Sequence, residues 1–167
     1  DTLKTTQSTA FSDARGGYRF EKNQKWNPKT TTAGFGTMST RKAIAKSSNT
    51  IAVKVAETLG DSYSECVDVM MDYLDNFGIT TLKDSKTGDE SNSDRQFPSL
   101  VLGGMSYGIS PLEMSAAYGA LANGGVYIEP TVFTTITTFD GNLLVKANPK
   151  ENRVVSEDVA YVITDML

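Results

Sequence analysis

Three short groupings of residues in this chain have the types and spacing for acyl-transfer chemistry. Ser39 and Lys42 form a Ser-x-x-Lys, Ser47 and Asn49 a Ser-x-Asn, and Lys86-Thr87-Gly88 a Lys-Thr-Gly. A serine hydroxyl becomes a nucleophile when a base within about 3 Å takes its proton, and a lysine one helical turn away is such a base. A second hydroxyl can give and take one proton, and an amide offers donors and an acceptor without titrating. The chain has no histidine. That excludes Ser-His-Asp triads, His-bearing zinc sites and His general bases, so any base here is Lys, Glu or Asp.

The elements that must position these residues can be read from periodicity and punctuation. Residues 1–37 are rich in Thr, Ser, Gly and Lys, with scattered aromatics (Phe11, Tyr18, Phe20, Trp26, Phe35), and read as an irregular arm. From Ser39 onward, Ile44, Ile51, Val55 and Leu59 fall at helical spacing, interrupted at Ser47-Ser48-Asn49. Two helices meeting at a polar corner fit this better than one rod. A third helix is predicted over residues 61–76, closed by Phe77 and Gly78. Its apolar face holds Tyr63, Cys66, Val67, Met70 and Leu74, so the single cysteine reads as core packing rather than a reactive thiol.

Residues 83–96 carry no strongly apolar side chain and read as a solvated loop. Ser110, Pro111 and Glu113 spell a capping box with proline in the first turn, and Asn123-Gly124-Gly125 stop the helix they start. Met114, Ala117, Tyr118 and Leu121 are its expected buried stripe. Asp140-Gly141 between β-branched runs predicts one two-stranded hairpin. A last helix, capped by Ser156 with acids in its first turn, carries Val159, Val162, Ile163 and Met166 on one face. That stripe is still running at Leu167, so the chain reads as a fragment of a larger domain.

Composition narrows the function classes. The 167 residues suit one domain or part of one, here divided as an arm of 1–37 and a body of 38–167. A formal net charge of −4 with interspersed lysines leaves no basic stripe for nucleic acid. No apolar run approaches the roughly 20 residues that span a bilayer, and no signal peptide is spelled at the N-terminus. No metal site and no cofactor are expected.

The three groupings do not converge on one site. Ser39 and Ser47 lie eight residues apart on predicted helix, roughly 12 Å along the axis at 1.5 Å per residue. Nothing between them makes a turn. Ser39 is better read as a helix N-cap, and Lys86-Thr87-Gly88 as a plain turn in an acidic loop. Ser47 and Asn49 survive these objections, although an asparagine at such a corner also serves simply as a cap.

The segment AKSSNTIAVKVAETLG resembles the Ser-x-Asn region of the penicillin-binding transpeptidases. LVLGGMSYGISPLEMSAAYGALANGGVYIEP resembles their class A, bifunctional branch, with supporting likeness at WNPK, at the Asp-Gly hairpin and at SEDVAYVITDML. The resemblance covers residues 26–167. It implies an α/β (α+β) transpeptidase fold shared with serine β-lactamases, of which this chain is the mostly helical middle plus one hairpin, with most of the central sheet missing.

The same resemblance assigns Ser47 as a hydroxyl that relays a proton between two lysines. Asn49 would hold the substrate's peptide carbonyl and orient the later lysine, and Trp26 would line the substrate groove, although an aromatic there reads equally as core packing. In the family the nucleophile motif lies upstream of WNPK and the Lys-Thr-Gly downstream of the last helix. Both would then fall outside this chain, which is expected to be inactive alone.

The implied partners are peptidoglycan stem peptides and β-lactams, and the flanking segments of the same protein. The implied place is the extracytoplasmic face of a bacterial membrane, reached through an anchor outside this chain, with a glycosyltransferase also outside it. The rival readings are a serine β-lactamase-like hydrolase, which needs a deacylating water and base, and a noncatalytic helical scaffold.

Overall fold

The computed structural model describes residues 5–14, 18–19, 25–28, 35–82 and 93–167. Lys86-Thr87-Gly88 and Phe20 lie outside them. The chain forms two compact units, one from residues 1–72, 82–108 and 165–167, the other from 73–81 and 109–164.

The first unit begins with two ribbons in the stretch that reads as irregular. Strand β1 (Ala10–Ser12) pairs antiparallel with β4 (Thr37–Ser39), and β2 (Tyr18–Arg19) with β3 (Lys25–Trp26). In the first of these, Phe11 stands opposite Met38. These strands are two or three residues long, too short to show alternation in sequence.

From β4 the chain passes into α1 (Thr40–Ala45) and α2 (Asn49–Ala56), the expected pair of helices meeting at residues 46–48. Met38, Ala43 and Ile51 form a buried cluster, with Phe11 and Val55 packed against it. Helix α2 also packs on α4 (Phe97–Leu102), an element that six residues of FPSLVL did not announce. Ile51 and Val53 are completely enclosed, each worth roughly 1.5–3 kcal/mol of apolar burial. The corner therefore rests on packed supports.

Helix α3 (Tyr63–Asn76) buries Cys66 and Val67, as its spacing predicts. Tyr63 stacks against Phe97 with ring centroids 4.6 Å apart at 49°, a tilted pairing that adds to area burial. At its end Gly78 N–H donates to Asp75 O and Ile79 N–H to Leu74 O, closing the helix with paired carbonyls.

The second unit is built around α5 (Pro111–Ala122), which packs on β5 (Val126–Ile128). The capping box is present in both directions. Strand β5 pairs antiparallel with β8 (Glu151–Arg153), a long-range ribbon that the sequence did not signal. The predicted hairpin is β6 (Thr135–Thr137) with β7 (Leu143–Lys146), turning at Gly141 with φ +83°. Four ribbons thus stand among the described residues where one was expected.

The buried stripe of α5 differs from expectation: Ala117 and Ala120 are buried, while Met114 and Tyr118 are 40% and 55% exposed. The helix carries apolar residues on every side, so spacing alone selects no single face. The small side chains take the close contact. The final helix α6 (Glu157–Met166) buries Ala160 completely and leaves Val159, Val162, Ile163 and Met166 half-buried.

Gly125 accounts for the stop after Asn123-Gly124. Its φ is +85°, and a Cβ there would stand 2.2 Å from Val155 O. Only glycine fits both the dihedral and the space.

Candidate functional site

The corner between α1 and α2 is built by two serines with opposite tasks. At the C-terminus of α1, Ser47 N–H donates to Ile44 O at 2.9 Å and Ser48 N–H to Ala43 O at 3.0 Å. This is the paired closure of a Schellman motif, whose left-handed residue is usually glycine. Here that residue is Ser47, with φ +51°, the one non-glycine at positive φ among the described residues. A side chain in that conformation costs roughly 1–2 kcal/mol relative to glycine. Ser47 is exposed, so packing does not compensate.

Ser48 turns inward and starts the next helix. It is the N-cap of α2, with Oγ accepting from Ile51 N at 3.2 Å. The expectation that Asn49 fills the capping position is corrected by this geometry: Asn49 is the first helical residue, half-buried, and the capping hydroxyl belongs to its neighbour.

Asp13, which sequence reading missed, holds Ser48 from below. The Ser48 hydroxyl donates to Asp13 Oδ1 at 2.6 Å, and Phe35 N–H donates to Asp13 Oδ2 at 3.2 Å. Asp13 is 2% exposed. No local signal marks it, because its partner lies 35 residues away and its flanks, Ser12 and Ala14, carry no period.

The other groupings do not join this corner. Ser39 is the N-cap of α1, its Oγ accepting from Lys42 N at 3.4 Å. It stands at the opposite end of α1 from Ser47. Lys46 Nζ lies over the Phe35 ring at 5.7 Å, and Lys54 Nζ donates to the carbonyls of Ser12 and Ala14. Trp26 is half-buried on the β2–β3 ribbon, opposite Tyr18.

Two further features are a buried thiol and a largely apolar groove. Burial pushes the Cys66 thiol up, away from thiolate. The second unit has an open groove of about 320 Å³ beside α5, lined by Leu112, Ala116, Gly119, Val126 and Ile128 among others, with no titratable side chain in its wall. Among the described residues no group of three or more Cys, Asp or Glu could hold a metal ion.

The sequence model described as "Penicillin binding protein transpeptidase domain" matches residues 4–167. The chain belongs to the penicillin-binding protein transpeptidase domain family. The match reaches back into the β1–β4 ribbon, further than the resemblance over residues 26–167. Penicillin-binding protein 1A/1B of Bacillus subtilis is 35% identical over 133 residues, covering 80% of this chain and 13% of that protein. The chain spans about a fifth or less of the length of the curated relatives it matches. Those relatives are 1A-type proteins, in line with the class A resemblance.

The fold agrees with this membership. A crystal structure of penicillin-binding protein 1A from Haemophilus influenzae superposes with TM-score 0.76 at 24% identity, covering 98% of this chain and 26% of that one. The imipenem acyl-enzyme complex of penicillin-binding protein A from M. tuberculosis gives TM-score 0.70 at 18% identity, over 98% of this chain and 38% of that one. At these identities the likeness establishes the transpeptidase fold, of which this chain is a partial portion made of helices and small sheets. No helix among the described residues is long and apolar enough to cross a membrane.

Proposed function

We propose that this chain supplies the Ser-x-Asn wall of a D,D-transpeptidase that cross-links peptidoglycan stem peptides through a serine acyl-enzyme and is acylated by β-lactams. One observation carries the reading: Ser47 occupies a left-handed helix terminus where glycine is cheaper, with its side chain exposed. A hydroxyl kept at such a position is there for its chemistry.

In this reading a serine outside the described constellation attacks the carbonyl of the D-Ala-D-Ala bond. Its proton goes to a lysine, and Ser47 passes a proton on toward the departing D-Ala amine. Asn49 donates from its side-chain amide to the substrate's peptide carbonyl. The acyl group is then taken by an amine of a neighbouring stem, or stays on the serine when the substrate is a β-lactam. Trp26 lines the groove.

Residues 1–37 act as an arm tied to the body by the β1–β4 ribbon and by Asp13. The capping role of Ser39 supports a nucleophile located elsewhere in the protein, and the chain alone as inactive. The class A likeness supports a glycosyltransferase elsewhere in the same protein, and placement on the extracytoplasmic face of a bacterial membrane through an anchor.

Labelling with a fluorescent penicillin tests this. The isolated chain is expected to stay unlabelled, and the whole transpeptidase domain to label at a serine other than Ser39. Covalent label on Ser39 would overturn the reading.

A further inference from the structure

We infer that Asp13 is a positioning residue for acyl transfer, acting through the Ser48 hydroxyl to fix the corner that presents Ser47 and Asn49. The inference rests on the proposed role of that corner and adds a residue that no motif contains.

The geometry forms a short rigid chain of bonds. Asp13 follows directly on β1, and its own N–H donates to Gly36 O at 2.9 Å, continuing the β1–β4 pairing by one step. Phe35 N–H fixes one carboxyl oxygen and the Ser48 hydroxyl takes the other, at 3.2 and 2.6 Å. Lys54 Nζ donates to the carbonyls on either side, those of Ser12 and Ala14. Asp13 is thus held by backbone from both directions before it holds anything itself.

What it holds is the middle residue of the Ser-x-Asn. Because the Ser48 proton points at Asp13, the oxygen's lone pairs face Ile51 N–H, and the cap is fixed in one rotamer. Ser48 is 6% exposed and Asp13 2%, so water does not compete for these bonds. The residues before and after Ser48 are the two proposed to touch substrate. Their side chains leave the backbone on either side of a locked unit, which is how a site keeps its geometry to a fraction of an ångström. Without Asp13, the hydroxyl rotates and the left-handed Ser47 relaxes, and a misplacement of that kind slows chemistry by one to two powers of ten.

The test uses the whole transpeptidase and a fluorescent penicillin, reading separately the acylation rate at saturation and the fraction of molecules labelled. Asp13→Ala and Ser48→Ala are each expected to slow acylation about tenfold with the labelled fraction unchanged. The double variant is expected to be no slower than the slower single, because the two act as one unit. Asp13→Asn keeps one oxygen to accept from Ser48 while its NH2 faces the Phe35 N–H, and is expected to acylate at a rate between those of Asp13→Ala and wild type.

Should Asp13→Ala fail to fold, Ser48→Ala and Asp13→Asn decide. A wild-type rate with only a reduced labelled fraction means that Asp13 merely holds the fold, and overturns the inference. Ser47→Ala and Asn49→Ala run alongside: if these acylate at the wild-type rate, the proposed role of the corner fails and the inference with it. If they are slow while Asp13→Ala and Ser48→Ala are not, the inference fails alone.

Discussion

Two helices in this molecule start on a serine whose hydroxyl meets a carboxyl group, and the two arrangements differ in reach. At α5, Ser110 Oγ accepts from Glu113 N at 3.2 Å, and the Glu113 carboxylate returns to Ser110 N and Oγ at 3.1 and 2.8 Å. Everything needed lies within one turn. At α2, the carboxyl that meets Ser48 comes from Asp13, 35 residues earlier, and is buried. A local capping box ends a helix wherever that helix goes. A cap anchored to a distant buried carboxyl also fixes where the corner stands, and the corner is where Ser47 and Asn49 are displayed.

Glu113 has one reach of its own. Thr80 N and Oγ1 donate to it at 2.8 and 2.9 Å, and Thr81 Oγ1 at 3.0 Å. Desolvation pushes this carboxyl up, but the bonds from Thr80 and Ser110 outweigh it and hold the group at about 2.

The contrast can be broken most forcefully at Ser48. Ser48→Ala removes a cap and leaves a buried carboxyl without its hydroxyl partner, and is expected to cost about 2–3 kcal/mol in denaturant unfolding of the transpeptidase domain. Ser110→Ala removes only a local, partly solvated cap, and about 1 kcal/mol is expected. Equal losses at the two serines would erase the distinction.

A pH series sharpens the comparison further. The folded-state pKa of Glu113 lies below its ordinary 4.5, so its stabilisation is fully present above about pH 4.5. It is lost as pH falls toward about 2. On this half-exposed carboxylate, solvent screening leaves roughly 1 kcal/mol of the effect. Unfolding at pH 7 and pH 3 is expected to show that loss in wild type and not in Glu113→Gln.

The smallest effect is expected at Arg41. It pairs with Asp165 on the surface, and Arg41→Ala is expected to change stability by less than about 1 kcal/mol, less still in high salt.

These two corners also show why the sequence was legible in some places and silent in others. The Ser110-Pro111-Glu113 box, the Asp140-Gly141 turn and the cysteine face of α3 are written in residues a few positions apart, so spacing suffices. The break at Ser47-Ser48-Asn49 was readable because it interrupts a period. Which residue caps it was not, since Ser48 and Asn49 are both good caps and the choice was made by Asp13. The β1–β4 and β5–β8 ribbons escaped notice because their partners are far apart in sequence and their strands are three residues long. On α5, an all-round apolar surface hid the buried face. The roles of Ser47, Asn49 and Trp26 came from resemblance; the left-handed strain at Ser47 came only from coordinates.

The most direct measurement replaces Ser47 by glycine in the whole transpeptidase and follows both thermal stability and penicillin acylation. Glycine suits φ +51° better than serine, so the variant is expected to melt at the same temperature or higher. Without the relay hydroxyl, it is expected to acylate about a hundredfold or more slowly. A variant that is at least as stable and acylates at the wild-type rate would contradict the account.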